Sequence, residues 1–188
     1  MSASAAPVRR FGPGAIATPA NAVTAIRLFL AVPTLVLVVQ VGASWSTFAM
    51  WTVLACTDGL DGWLARRDGT TRSGAFLDPL ADKFLVVGGF LALAVRGDFG
   101  LVPVVLVVGR ELSISAYRSL AARRGISLPA RQLGKWKTFL QLCAVAAVLF
   151  PPTGKLVWFQ YTILWVAVTL TIVSALDILL TGWQESRA

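Results

Sequence analysis

The feature that most restricts this chain is a series of long apolar runs separated by short polar turns. A helix needs about 20 residues to cross the hydrocarbon core of a bilayer. About six stretches reach or approach that length: residues 21–41, 45–66, 74–95, 101–124, 134–150 and 155–183. Gly42, the Gly97-Asp98-Phe99-Gly100 segment and Pro151-Pro152-Thr153-Gly154 fall between runs and are built from helix-ending residue types. Ser44 stands where an N-cap is expected for the second run. No strand-like alternation persists, and the runs are too long for barrel strands. Composition agrees, with 56% hydrophobic and 14% charged residues, against about a quarter charged in a soluble domain. The expectation is an all-α integral membrane bundle of about six transmembrane helices, forming one domain over residues 19–188. Residues 1–18, rich in Ala, Ser, Pro, Gly and Arg and lacking the apolar centre of a signal peptide, read as a flexible cytoplasmic tail.

The formal charge is +8 and there is no histidine. The basic residues form short clusters between apolar runs, which fits membrane topology and anionic head groups rather than nucleic acid. One side of the expected bundle collects Arg9, Arg10, Arg66, Arg67, Arg72, Arg123, Arg124, Arg131, Lys135, Lys137 and Arg187, and the other only Arg96 and Lys155. The first side is expected to face the cytoplasm, with both termini. Trp45, Trp158 and Trp183 read as interfacial belts. Cys56 and Cys143 lie inside apolar runs, with neither metal-ligand spacing nor a disulfide framework.

Against this background Asp58, Asp61, Asp78, Asp82, Lys83, Arg110, Glu111 and Arg118 stand out, because all lie within or at the edge of expected spans. A charge at the centre of a spanning helix costs about 2.5–3.5 kcal/mol on insertion scales. Asp58 and Asp61 are spaced i, i+3 and Asp78 and Asp82 i, i+4, so each pair projects from one helix face. The short connection from Arg67 to Ser73 makes the two helices antiparallel neighbours, with both pairs toward its cytoplasmic side. Four carboxylates can then converge, and hard oxygen ligands of this kind suit Mg²⁺ or Mn²⁺. A bridging carboxylate would allow two ions. The alternative, aspartates paired to Arg66, Lys83 or Arg110 purely as folding glue, explains one pair better than four acids on adjacent helices. Gly62, Ala65 and Gly74 lie beside or one turn from these acids, where small residues admit close approach of a backbone or ligand.

Written out, the segment is Asp58-x-x-Asp61-Gly62-x-x-Ala65-Arg66, a seven-residue gap, then Gly74-x-x-x-Asp78-x-x-x-Asp82. It resembles the signature of the CDP-alcohol phosphatidyltransferase family. Thr18 to Arg27, Arg110 to Arg118 and Gly134 to Gln141 look like the branch that makes phosphatidylglycerophosphate, as does Ala81-Asp82-Lys83. The resemblance implies two divalent cations held by Asp58, Asp61 and Asp78, with Asp82 as general base and ligand to the second ion. It implies that the CDP-lipid sits near Gly62, Ala65, Arg66 and Gly74, with Thr71 and the segment holding Asn21 and Thr24 contributing. It also implies a homodimer.

The implied reaction is attack of an acceptor hydroxyl on the lipid-proximal phosphorus of CDP-diacylglycerol, with CMP leaving. With no histidine in the chain, a carboxylate is the natural base. If the acceptor is glycerol 3-phosphate it is anionic and needs a basic pocket, for which Arg110, Arg118, Lys135 and Lys137 are the candidates. Inositol phosphate or phosphatidylglycerol as acceptor would leave the catalytic motif unchanged. A cation transporter is the rival of another class, but no second copy of the aspartate motif or internal symmetry is present.

Overall fold

The computed structural model describes the backbone of residues 18–68, 72–123 and 132–185, and the side chains of the same segments apart from residue 20, residues 58–79 and residue 185. These residues form α1 (Pro19–Val41), α2 (Trp45–Asp68), α3 (Arg72–Arg96), α4 (Leu101–Arg123), α5 (Gln132–Leu149), a 3₁₀ turn (Pro151–Lys155) and α6 (Val157–Glu185). No strand occurs among the described residues.

The helix ends follow from local chemistry. Thr18 accepts a hydrogen bond from the Asn21 amide at 3.2 Å, with Pro19 at the first helical position, so α1 starts where a free donor is satisfied and a fixed φ costs nothing. Ser44 and Thr47 cap α2 reciprocally, each amide donating to the other's hydroxyl at 3.1 Å. Gly42 ends α1 at φ +71°, and a Cβ there would collide with the Arg96 guanidinium. Arg96 donates to the Val39 carbonyl at 3.1 Å and to Asp98 at 2.8 Å, tying the C-terminal ends of α1 and α3 together.

Packing follows two themes. α1 lies against both α2 and α3, while α6 lies against α4 and α5. Gly88 and Gly89 of α3 make the first group close: a Cβ on Gly88 would strike Leu35 of α1, and one on Gly89 would strike Trp51 of α2. Trp51 is fully buried, and its Nε1 donates to the Leu142 carbonyl at 3.1 Å, fastening α2 to α5. Phe90, Leu93, Val145, Leu149, Leu164 and Val168 continue the core between the two groups. Trp45 and Phe48 at the start of α2 meet Phe150 just after α5, and Gly182 late in α6 receives Tyr117 late in α4. One end of the bundle therefore holds the starts of α1, α3 and α5 with the ends of α2, α4 and α6.

The distribution of polarity is reversed from that of a water-soluble domain. Phe29, Val95 and Leu101 are 78%, 74% and 73% exposed, whereas Arg27, Glu111, Lys137, Gln141, Thr171 and Ser174 are buried. Two helices, over Asn21–Val41 and Val157–Gln184, are long and apolar enough to cross a membrane by length and composition. The other elements expected to span carry more charge: α4 holds Arg110, Glu111 and Arg118, and the 18-residue α5 begins with Lys135 and Lys137 in its first turns.

The α2–α3 contact gives a direct test. Gly89→Leu must displace Trp51 and is expected to cost about 1–3 kcal/mol, as overpacking does, seen as a lower melting temperature in detergent. Gly109→Ala, whose added Cβ meets nothing within 4 Å, should leave melting unchanged.

Candidate functional site

Between α3, α4 and α5 lies a cavity of about 470 Å³, reached also by Ala55 of α2 and Ile178 of α6. α3 contributes Asp82 and Lys83, α4 contributes Arg110, Glu111, Ser115 and Arg118, and α5 contributes Gly134, Lys135, Lys137 and Thr138. Five basic side chains thus face two carboxylates, and a cleft with such a lining concentrates anions. Helical periodicity explains the set on α4: Arg110, Glu111, Ile114, Ser115 and Arg118 lie on one face two turns long. The same holds on α5 for Gly134, Lys137, Thr138 and Leu142.

The floor of the cavity is a buried polar network. Glu111 Oε1 accepts from Lys137 Nζ, from Gln141 Nε2 at 3.3 Å and, at the long limit, from Arg110 Nη1 at 3.4 Å. Gln141 Nε2 also donates to Thr171 Oγ1 at 2.9 Å, and Arg110 Nη2 donates to Ser174 Oγ at 2.8 Å. Three helices are thereby joined through one carboxylate. The Nε atoms of Arg110 and Arg118 are buried without a hydrogen-bond partner among the described residues. Asp82, half-buried, lies within electrostatic reach of Lys137.

Of the residues singled out from sequence, the fold brings Asp82, Arg110, Arg118, Lys135 and Lys137 to this one cavity. Asn21 and Thr24 are buried on α1 away from its lining. Asp58, Asp61, Gly62, Ala65 and Arg66 lie on α2, and Gly74 and Asp78 on α3, with side chains outside the described residues; Thr71 lies outside them altogether. Glu111 and Lys83 were visible in the sequence as charges in apolar runs but had no role in the site. Gln141 was visible only as the last residue of the Gly134 to Gln141 stretch that carries the family resemblance, with no role assigned to it.

The backbone register bears on whether the aspartates fit a metal centre. Trp51 of α2 reaches across to Gly89 of α3. Counted along the chain from these two residues toward the α2–α3 connection, Asp58 and Asp82 are each seven residues on, Asp61 ten and Asp78 eleven. The four acidic positions thus lie seven to eleven residues along α2 and α3 from that contact, and carboxylates are the hard-oxygen donors that suit Mg²⁺ or Mn²⁺. Among the described residues alone no group of three or more acidic or thiol ligands occurs; Asp82 is the one member of the set whose side chain is described.

The buried pair on the cavity floor predicts strong coupling. Glu111→Leu and Lys137→Met should each destabilise the protein by about 3 kcal/mol, since each leaves a buried charge uncompensated. The double variant should lose clearly less than their sum, measured as a double-mutant cycle of detergent melts. Additive losses would mean that the two charges do not depend on each other.

Residues 17–173 match the sequence profile of CDP-alcohol phosphatidyltransferase. A relative from Mycobacterium tuberculosis (strain H37Rv), "Probable phosphatidylglycerophosphate synthase", is 35% identical over 173 residues, covering 88% of this chain and 82% of the relative. "CDP-diacylglycerol--glycerol-3-phosphate 3-phosphatidyltransferase" of Pseudomonas fluorescens is 36% identical over 178 residues, 89% of this chain and 91% of the relative. The Escherichia coli (strain K12) protein of the same name is 37% identical over 172 residues, 85% of this chain and 93% of the relative. The match runs through the aspartate motif on α2 and α3 and through the helices that build the cavity, so the chain belongs to the CDP-alcohol phosphatidyltransferase family and is an enzyme of that kind.

Proposed function

We propose that this enzyme transfers a phosphatidyl group from CDP-diacylglycerol to glycerol 3-phosphate, giving phosphatidylglycerophosphate and CMP in phospholipid biosynthesis, with Mg²⁺ or Mn²⁺ required. The observation that carries this reading is the cavity in which Asp82 of the motif faces five basic side chains. A neutral or zwitterionic acceptor has no use for so cationic a wall, whereas a phosphomonoester does. The names of the Pseudomonas and Escherichia relatives point to the same acceptor.

In this reading Arg110, Arg118, Lys135 and Lys137 bind the acceptor phosphate and hold its terminal hydroxyl toward Asp82. The Asp82 carboxylate takes the hydroxyl proton as the oxygen attacks the lipid-proximal phosphorus, and the bond from that phosphorus to the CMP oxygen breaks. Asp82 would act by position more than by basicity. Asp58, Asp61, Asp78 and Asp82 would hold two divalent cations, which when bound neutralise charge on the pyrophosphate and on the departing CMP. The CDP portion is assigned to Gly62, Ala65, Arg66, Thr71 and Gly74 with Asn21 and Thr24. Arg66 would grip phosphate through its planar fork of donors.

The exposed apolar surface and buried charges support a multi-pass protein of the cell membrane built as one domain over residues 19–188. Among the described residues, the half of the bundle carrying the site holds most of the lysines and arginines, against Arg96 and Lys155 at the other end, which supports an active site facing the cytoplasm. A homodimer is part of the proposal on the strength of the family resemblance.

The test is CMP release from CDP-diacylglycerol by purified protein, offered glycerol 3-phosphate, inositol phosphate or phosphatidylglycerol. Turnover is expected with glycerol 3-phosphate alone, and exclusive use of either other acceptor would overturn the assignment. Chelation should stop release and added Mn²⁺ or Mg²⁺ restore it. Asp82→Asn should lower kcat by about 10²–10⁴-fold, the range for loss of a general base, without loss of membrane insertion. Arg118→Ala should raise KM for glycerol 3-phosphate about tenfold, about 1.4 kcal/mol, with little change for the lipid donor.

A further inference from the structure

Glu111 takes no part in the mechanism above, yet it is the most elaborately bound group in the cavity. Its residue is 5% exposed, as is that of Lys137, and Gln141 is 1% exposed. Donors from α4 and α5 converge on the single oxygen Oε1: Lys137 Nζ, Gln141 Nε2 and, more weakly, Arg110 Nη1. Two of the three donors are held again by a second partner. Gln141 reaches Thr171 and Arg110 reaches Ser174, both on α6. Ser174 in turn donates to the Thr171 carbonyl at 3.0 Å, so the two anchor points on α6 are themselves linked.

Two physical needs meet here. Arg110, Arg118 and Lys137 repel one another, and a free lysine or arginine side chain loses about 2 kcal/mol of rotamer entropy when an anion fixes it. A carboxylate already holding one N–H of Arg110 and one of Lys137 removes much of that cost before the anion arrives. This is preorganisation, in which the free site already has the geometry of the bound one.

We infer that Glu111 is a positioning residue for the anionic acceptor: it fixes Arg110 and Lys137 in the phosphate-binding wall without touching the acceptor itself. The inference rests on reading the cavity as the acceptor site. It also runs against simple electrostatics. If only the field mattered, neutralising Glu111 would make the cavity more positive and tighten anion binding. Positioning requires the reverse.

The experiment compares full-length wild type with Glu111→Gln, purified in detergent. KM for glycerol 3-phosphate should rise about tenfold, while KM for CDP-diacylglycerol stays within about twofold. An unchanged or lower KM for glycerol 3-phosphate, or an equal rise for both substrates, would overturn the inference. Should Glu111→Gln fail to fold, Gln141→Met keeps every charge and removes one tether. It should show the same split at about threefold, and no split would overturn the inference. Failure of the functional reading is recognisable separately, as absence of turnover with glycerol 3-phosphate in wild type. In that event inorganic phosphate serves as probe. It should raise the melting temperature of wild type and not of Glu111→Gln, and equal shifts would overturn the inference.

Discussion

A charge withdrawn from water must find a partner, and the rest of this architecture answers to that requirement. Among the described residues large apolar side chains such as Phe29 and Val95 are exposed while Arg27, Glu111 and Lys137 are buried, so each of these buried ions has to be matched within the protein or by what the protein binds. On the cavity floor Glu111 is matched by Lys137 and Arg110. Basic side chains remain in excess around it, and an anionic substrate is what such an excess lacks. On α2 and α3 the sequence carries four acids, Asp58, Asp61, Asp78 and Asp82, which on the proposed reading divalent cations balance. The two imbalances adjoin at Asp82, which belongs to the acidic set by sequence and lines the basic cavity by position.

The frame that holds these groups is stiff where it needs to be. Gly88 and Gly89 let α3 approach Leu35 of α1 and Trp51 of α2 closely. Trp51 also ties α2 to α5 through its bond to the Leu142 carbonyl. α3 therefore serves both halves of the site, carrying Asp78 and Asp82 of the motif and presenting Lys83 to the cavity. At the opposite end Arg96, clasped between Gly42, Val39 and Asp98, closes the bundle.

Much of this was legible in the sequence because it is governed by local rules. Helix length, the Ser44 cap, the Gly42 stop and the Pro151-Pro152 break depend on neighbours along the chain, and the helices begin and end within about two residues of where those signals lie. The aspartate pairs were readable because i, i+3 and i, i+4 spacing fixes a face without reference to any other helix. Arg110, Arg118, Lys135 and Lys137 were expected together because the anionic acceptor implied by the family resemblance needs a basic pocket, and the fold does bring them to one cavity. What was not legible depends on superposing helices distant in sequence. Nothing near Glu111 says that Lys137 and Gln141 will close on it, or that Thr171 and Ser174 will lie behind. Counting apolar runs also blurs a distinction that the folded chain makes. α1 and α6 are long and apolar enough to cross a membrane, whereas α4 and α5 between them carry more charge toward the end where the site is built.

The central claim is that α2 and α3 present their acids to a shared pair of divalent ions beside the basic cavity. Electron paramagnetic resonance of the purified protein titrated with Mn²⁺ reads this directly. The account predicts two bound ions per chain giving a spin-coupled spectrum, with the coupling lost in Asp58→Asn. A single isolated Mn²⁺ signal, or two uncoupled ones indifferent to that substitution, would contradict it.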